Sequence, residues 1–224
     1  MARKRVLLNK NVTNQSIPWN ERALSLLEEN RQNLLYLVGG VLVLFLIFAG
    51  ITLYSKNYET GALRIFTEAN ALYNIERGSE EARDYKTTLE AFEKIEISYP
   101  RSKVAPFAHM YLGEIYYRTG EFSKALENYN MLIQDNPDES LTIFAQYGMG
   151  KTYESMGKND DALKYYEIVS KRNSSLGTII LMDLGRLMEK MKRTEDAKRK
   201  YQEFIDMNPD SPFTTEIVYR MSQL

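Results

Sequence analysis

The 224 residues include 29 Lys and Arg, 30 Asp and Glu, one His and no Cys, for a formal net charge of −1. A chain so close to neutral lacks the basic excess that is typical of nucleic-acid binding. The absence of Cys excludes disulfides, thiol catalysis and thiolate metal sites.

The first 33 residues form a polar, basic segment. Residues 2–16 show no periodicity, so we expect this part to be disordered. Apolar residues then recur at helical spacing, at Trp19, Ala23, Leu24 and Leu27. This pattern indicates either an interfacial helix over residues 18–33 or an N-terminal extension of the apolar helix that follows.

Leu34 to Tyr54 is a run of 21 residues without a charge. At about 1.5 Å per residue it reaches roughly 31 Å, which is enough to cross a hydrocarbon core of about 30 Å. A buried core helix is a weaker interpretation, because charge-free runs of this length are rare in soluble domains. A cleaved signal peptide is also weaker, because no small-x-small cleavage site follows the run cleanly. The sequence therefore predicts a transmembrane helix over residues 34–54.

Charge predicts the orientation of this helix. Six of the 29 basic residues but only three of the 30 acidic ones fall within residues 1–33. Because basic flanks stay on the cytoplasmic side, we expect a cytoplasmic N-terminus and an outer location for residues 55–224. That outer part is net acidic, so it offers no field that would attract nucleic acid.

One spacing occurs three times after the apolar run. A Gly is followed by an Ala 12 residues later and by a Tyr four residues beyond that Ala. The three sets are Gly113, Ala125 and Tyr129, then Gly150, Ala162 and Tyr166, then Gly185, Ala197 and Tyr201. This pattern resembles the tetratricopeptide repeat, a family of stacked helical hairpins. In that family the Gly and Ala positions allow helix A and helix B of a hairpin to approach closely, and the aromatic residues fill the space between successive hairpins.

Turns between the two helices of each repeat are expected at residues 119–121, 156–158 and 192–194. Gly120 and Gly157 can adopt positive φ at the end of helix A. Pro137 and Pro209 cannot continue a helix, so they mark the ends of two repeats.

The repeat spacing and the apolar run together predict an all-α fold, with one transmembrane helix followed by an α-solenoid. The expected divisions are a cytoplasmic segment 1–33, the transmembrane helix 34–54 and the repeat domain 55–224. Within the domain we expect repeats at about 58–104, 105–141, 142–176 and 177–210, and a C-terminal capping helix at 211–224. The first repeat is atypical, because Glu76 and Thr88 occupy its Gly and Ala positions.

Two short motifs refine the resemblance. Tyr99-Pro100-Arg101-Ser102, and the similar stretch from Asn208 to Phe213, resemble repeats of bacterial envelope proteins, such as the Tol–Pal-associated coordinator protein and the outer-membrane β-barrel assembly lipoprotein.

The overall plan is more similar to the ancillary subunit of the bacterial Sec translocon. This resemblance implies a single-pass protein of the bacterial inner (cytoplasmic) membrane with a periplasmic repeat domain. It also implies a scaffold or chaperone-like accessory at the protein-export machinery, with translocon subunits, periplasmic chaperones or secretory clients as partners. The alternative is a structural subunit of an envelope complex for outer-membrane assembly or division.

The family's groove-facing positions lie on helix A of each repeat. In this sequence they are Phe107, Met110, Glu114, Tyr117 and Arg118, then Phe144, Tyr147, Lys151 and Glu154, then Met182 and Arg186. Met and aromatic side chains adapt to varied partners, so this set predicts a groove for extended polypeptide. The alternative is that some of these residues only pack between helices or beneath a neighbouring subunit.

The sequence gives no support for an enzyme, a cofactor site or a metal site. The stretch from Ala145 to Thr152 nearly matches a phosphate-binding loop, but its first Gly is replaced by Ala145 and no strand precedes it. His109 is the single histidine, and without Cys it makes a metal site or a histidine-based triad improbable.

Overall fold

The computed structural model describes residues 30–78, 85–135, 138–172 and 175–224. Nearly all of the N-terminal segment, with the interfacial helix proposed there, lies outside the described residues, as does Pro137. The described residues form nine helices and no strand, which confirms the all-α prediction. The helices are α1 (Arg31–Gly78), α2 (Lys86–Ser98), α3 (Ala105–Arg118), α4 (Phe122–Asp135), α5 (Glu139–Ser155), α6 (Asn159–Ser170), α7 (Ser175–Lys190), α8 (Thr194–Met207) and α9 (Thr214–Gln223).

The chain divides into two compact units, Met1–Ser55 and Lys56–Leu224, and α1 contributes residues to both. In the first unit, the helix carries an apolar stretch that is long enough to cross a membrane. None of that stretch is buried, which does not fit a helix in the core of a protein. It is therefore a candidate membrane span.

The second unit is built from helical hairpins stacked in order. Helices α3 and α4, α5 and α6, and α7 and α8 pack as pairs, and each pair also contacts the next. Two clusters of buried side chains form the core. One extends from Ile65 to Met149 and the other from Ile143 to Ile217. This is the solenoid that the repeat spacing predicted.

Buried tyrosines explain the glycines of the repeat pattern. A Cβ atom placed on Gly113, Gly150 or Gly185 would lie less than 3.0 Å from the ring of Tyr129, Tyr166 or Tyr201, respectively. Each glycine thus makes room for the aromatic ring of its own helix B. The Tyr129 ring also occupies the space beside Gly148, on the following hairpin.

The turns between helices A and B share one geometry in the last three hairpins. Gly120 and Gly157 have φ of 81° and 74°, as expected. Lys192 takes the same place in the last hairpin, with φ of 60°. In each turn the next residue donates its backbone N–H to a carbonyl five residues earlier, from Glu121 to Tyr116, from Lys158 to Tyr153 and from Arg193 to Met188.

The two exceptional positions of the first repeat contact each other. The Thr88 hydroxyl, fully buried, donates a hydrogen bond of 2.6 Å to Glu76 Oε2. A polar contact thus joins the two positions that hold Gly and Ala in the other hairpins. At the other end, Ile217 of α9 is buried in the second cluster, whereas Phe213 is about half exposed.

Candidate peptide-binding groove

Helices α1, α3 and α5 together line a cavity of about 350 Å³. Most of its walls are aromatic or apolar, from Tyr73, Met110, Tyr111, Phe144 and Tyr147. The polar lining residues are Asn74, Arg77, Glu114, Arg118 and Lys151. We call this space the first cavity.

A second cavity, of about 320 Å³, adjoins the first. Tyr147 and Lys151 line both, so the two spaces are neighbours along the stack of helix-A faces. The second cavity is more polar, and its other lining residues are Tyr117, Glu154, Ser155, Tyr166, Asp183, Arg186 and Lys190. Together, the two cavities form the candidate groove.

Two basic side chains of the first cavity have defined neighbours. Arg118 Nε donates to Glu114 Oε1 at 2.7 Å, an i,i+4 pair on α3. The Lys151 ammonium lies 4.7 Å from the centroid of the Tyr117 ring and 5.7 Å from that of Tyr147. These distances are typical of cation–π contacts, which hold the Lys151 side chain over the groove.

A hydrogen-bonded network fixes the charges of the second cavity. The Arg186 guanidinium binds both oxygens of Glu154, at 2.8 and 3.2 Å, and Asp183 Oδ1 at 3.2 Å. The Tyr147 hydroxyl donates to Asp183 at 2.9 Å, and the Tyr166 hydroxyl donates to Glu154 at 3.0 Å. Both carboxylates are therefore already bound on two sides.

Burial and the nearby carboxylates raise the pKa of Tyr147 and of Tyr166 well above the usual tyrosine range. Desolvation disfavours the phenolate, and Asp183 or Glu154 disfavours a second negative charge beside it. Both phenols therefore stay protonated at neutral pH and act as hydrogen-bond donors.

Residues 30–219 match the family described as the tetratricopeptide repeat-like domain. The chain belongs to this family. The matched region takes in α1 with its apolar stretch as well as the paired helices. No curated protein matches the chain. Tetratricopeptide repeat domains are in general scaffolds for protein–protein interaction, and they are generally not catalytic.

The tetratricopeptide fold brings nine of the eleven predicted groove residues together. Met110, Glu114, Arg118, Phe144, Tyr147 and Lys151 line the first cavity, and Tyr117, Glu154 and Arg186 line the second. Phe107 lies outside both, 40% exposed, with its ring 6.1 Å from that of Phe66. Met182 lines a separate small cavity beside Ile217 and Arg220.

Among the lining residues that the prediction missed are Tyr73, Asn74, Arg77 and Asp183. Tyr73, Asn74 and Arg77 reach the first cavity from α1, which continues to Gly78. Asp183, in the second cavity, directly follows the Met182 position that the repeat register indicated. The spacing of Tyr73, Asn74 and Arg77 along one helical face was the signal that could have found the first three.

Neither of the other candidate motifs forms a catalytic site. The loop-like stretch Ala145 to Thr152 lies inside α5, so its backbone N–H groups are part of a helix and cannot cradle a phosphate. His109 is buried, with Nδ1 3.4 Å from Asn128 Oδ1 and Nε2 3.3 Å from Asp135 Oδ2. These contacts connect α3 with α4. Among the described residues, no group of three potential metal ligands occurs.

Proposed function

We propose that this protein is a membrane-tethered scaffold that binds polypeptide segments of partner proteins in the two adjoining cavities. The observation that carries this proposal is the groove itself, in which aromatic and Met side chains alternate with charged ones along successive helix-A faces. Such a surface can bury apolar side chains of a ligand and bind its polar groups at the same time.

The volumes suit an extended segment better than a folded partner. Each cavity, at about 350 and 320 Å³, is large enough for one or two side chains. Because neighbouring cavities share Tyr147 and Lys151, one extended chain can fill both. Binding of this kind places side chains in successive pockets, as in other helical-repeat receptors.

We place this scaffold in the bacterial inner (cytoplasmic) membrane, with the repeats in the periplasm, as an accessory of the protein-export machinery. Three observations support this location. They are the excess of basic over acidic residues within 1–33, the candidate span in α1 and the architectural resemblance to the ancillary translocon subunit. Its partners would be translocon subunits, periplasmic chaperones or secretory clients.

Crosslinking in intact cells followed by purification of the full chain tests the assignment. The comparison variant, Phe144→Ala, removes an aromatic wall of the first cavity, and circular dichroism checks that its helices are retained. We expect translocon subunits, chaperones or secretory proteins in the wild-type eluate, and fewer client proteins with the variant. An eluate that contains none of these classes would exclude the export role.

A structural subunit of an envelope complex is the second candidate. One observation favours it: α9 exposes Val218 and Tyr219 at 52% and 65%, beside the half-exposed Phe213. Exposed apolar side chains on a terminal helix are suited to a permanent neighbour. A stable stoichiometric complex without client binding would support this function instead.

A further inference from the structure

The first cavity has an excess of positive charge. Arg77, Arg118 and Lys151 line it, against a single carboxylate, Glu114, among the lining residues that the structure describes. The chain beyond residue 33 is net acidic, so this local excess is opposite in sign to its surroundings. Charge of one sign in a concave, partly apolar site attracts ligands of the other sign.

We propose that the first cavity is a subsite for an acidic side chain, Asp or Glu, within an extended polypeptide ligand. The proposal rests on the peptide-binding function proposed above and names the residue type that the groove selects. The ligand carboxylate would lie between Lys151 and Arg118, and the apolar side chains next to it would contact the aromatic walls.

Arg118 retains the donors that such a carboxylate needs. Its bond to Glu114 uses Nε, whereas a guanidinium has five N–H donors in a planar fork. Both terminal amino groups can therefore bind a ligand carboxylate while the bond to Glu114 holds the side chain in place.

Lys151 is the second binding group. Its ammonium contacts the faces of Tyr117 and Tyr147, and no carboxylate of the described residues lies within ion-pair distance. Aromatic faces leave the three N–H donors of an ammonium unsatisfied, so a ligand carboxylate adds hydrogen bonds without displacing a protein one.

The carboxylates of the second cavity do not repel an acidic ligand strongly. Glu154 and Asp183 are both bound by Arg186 and by tyrosine hydroxyls, and Lys190 is exposed at the same rim. An acidic side chain thus meets cations along the groove, and the carboxylates it passes are already compensated. Because the groove continues from one cavity into the next, the acidic residue can lie within a chain and does not have to be its C-terminus.

The aromatic walls of the first cavity add a preference for apolar ligand side chains next to the acidic one. Phe144 and Tyr147 line the same cavity as Lys151, and both are half-buried. A ligand carboxylate is less hydrated beside such walls than in open water, which strengthens its bonds to Arg118 and Lys151. The favoured motif therefore joins an acidic residue to an aromatic or aliphatic one.

Two labelled peptides that differ in one property provide the test. Both carry a Leu-Phe-Glu-Glu-Phe-Leu core between Gly-Ser flanks, and in the second peptide Gln replaces both Glu. Their affinities for the full chain in detergent micelles are measured by fluorescence anisotropy at low ionic strength. We expect the Glu peptide to bind about tenfold more tightly, and the difference to shrink when salt is added.

Two charge-removing variants assign the preference to the cavity. Lys151→Gln should reduce the preference to below about threefold, since it removes one of the two main charge contacts. Lys164→Gln is the matched control, because Lys164 is exposed on α6 and lines neither cavity. It should keep the full preference.

The results distinguish a failure of the acidic subsite from a failure of the peptide-binding function. Equal affinities for the two peptides in the wild type, with both weakened by Phe144→Ala, would overturn the acidic subsite and leave the peptide-binding function intact. A preference that Lys151→Gln does not change would also overturn the subsite. No binding of either peptide would count against both proposals.

Discussion

At the residue scale, Lys192 adopts a left-handed backbone conformation, and the equivalent turn positions of the two preceding hairpins hold glycine. Its φ is 60°, whereas Gly120 and Gly157 occupy the same turn position at 81° and 74°. A left-handed conformation costs a non-glycine residue roughly 1–2 kcal/mol. The last hairpin therefore retains a local strain that the other two avoid.

We expect Lys192→Gly to stabilise the repeat domain by about 0.5–1 kcal/mol, since the relief of strain exceeds the added entropy of the unfolded chain. The measurement is chemical denaturation of the full chain in micelles, followed by circular dichroism. The reverse exchange, Gly157→Lys, should destabilise by about 1 kcal/mol. A loss of stability in Lys192→Gly would show that the Lys192 side chain contributes more than the turn geometry costs.

At the element scale, one ion-pair network connects three helices. Glu154 of α5 accepts from Arg186 of α7 and from Tyr166 of α6. The Glu154 side chain is 11% exposed, whereas that of Arg186 is 47% exposed, so solvent screens part of the interaction. A bidentate, partly buried pair still contributes more than a single exposed one.

A double-mutant cycle with Glu154→Gln and Arg186→Gln should give a coupling energy of about 1 kcal/mol. Arg172 and Glu139 supply the control cycle, because they form one contact of 2.9 Å with both side chains exposed. Their coupling should be below about 0.5 kcal/mol. Equal couplings in the two cycles would mean that the network adds nothing beyond a surface ion pair.

The helices also show what the sequence could predict. Gly, Ala and Tyr at fixed spacing identify the hairpins, because the close approach of a ring to a glycine tolerates few substitutions, as at Gly150 and Tyr166. The helix-A positions followed from that register, and nine of the eleven line the two cavities.

What the register could not predict was the share of α1 in the first cavity. That helix carries no repeat glycine, and its pairing with α2 depends on contacts such as Thr88 with Glu76, which only three-dimensional packing reveals. For the same reason, the sequence did not predict that Arg186 would bind Glu154 and Asp183 together. Side chains that meet across hairpins have no fixed spacing in the chain.

At the scale of the whole repeat domain, buried phenols make stability depend on alkaline pH. Burial raises the pKa of Tyr129 and Tyr166, with nearby carboxylates adding to the effect. An unfolded tyrosine ionises near pH 10, so below that pH both states bind the proton and stability is fully retained. Above it the unfolded state loses the proton first, and stability falls with rising pH.

Each such tyrosine lowers the free energy of unfolding by about 1.4 kcal/mol per pH unit above pH 10. We expect exposed tyrosines to ionise first, and a second rise in tyrosinate absorbance to coincide with loss of helical signal. Tyr129→Phe keeps the ring and removes an ionisable hydroxyl, so it should make the decline with pH less steep. Ionisation of all tyrosines while the helices persist would contradict this account.

The charge distribution around the candidate span predicts its orientation in the membrane. Residues 1–33 hold six basic and three acidic residues, whereas the chain after the span is net acidic. Retention of basic flanks on the cytoplasmic side should direct the repeat domain outward. Alkaline phosphatase, which folds only after export, should therefore be active when fused after Leu224. A fusion after residue 33 ends before the apolar run and should be inactive, which supplies the control. An expressed but inactive fusion at Leu224 would place the groove in the cytoplasm, where it could not meet exported chains.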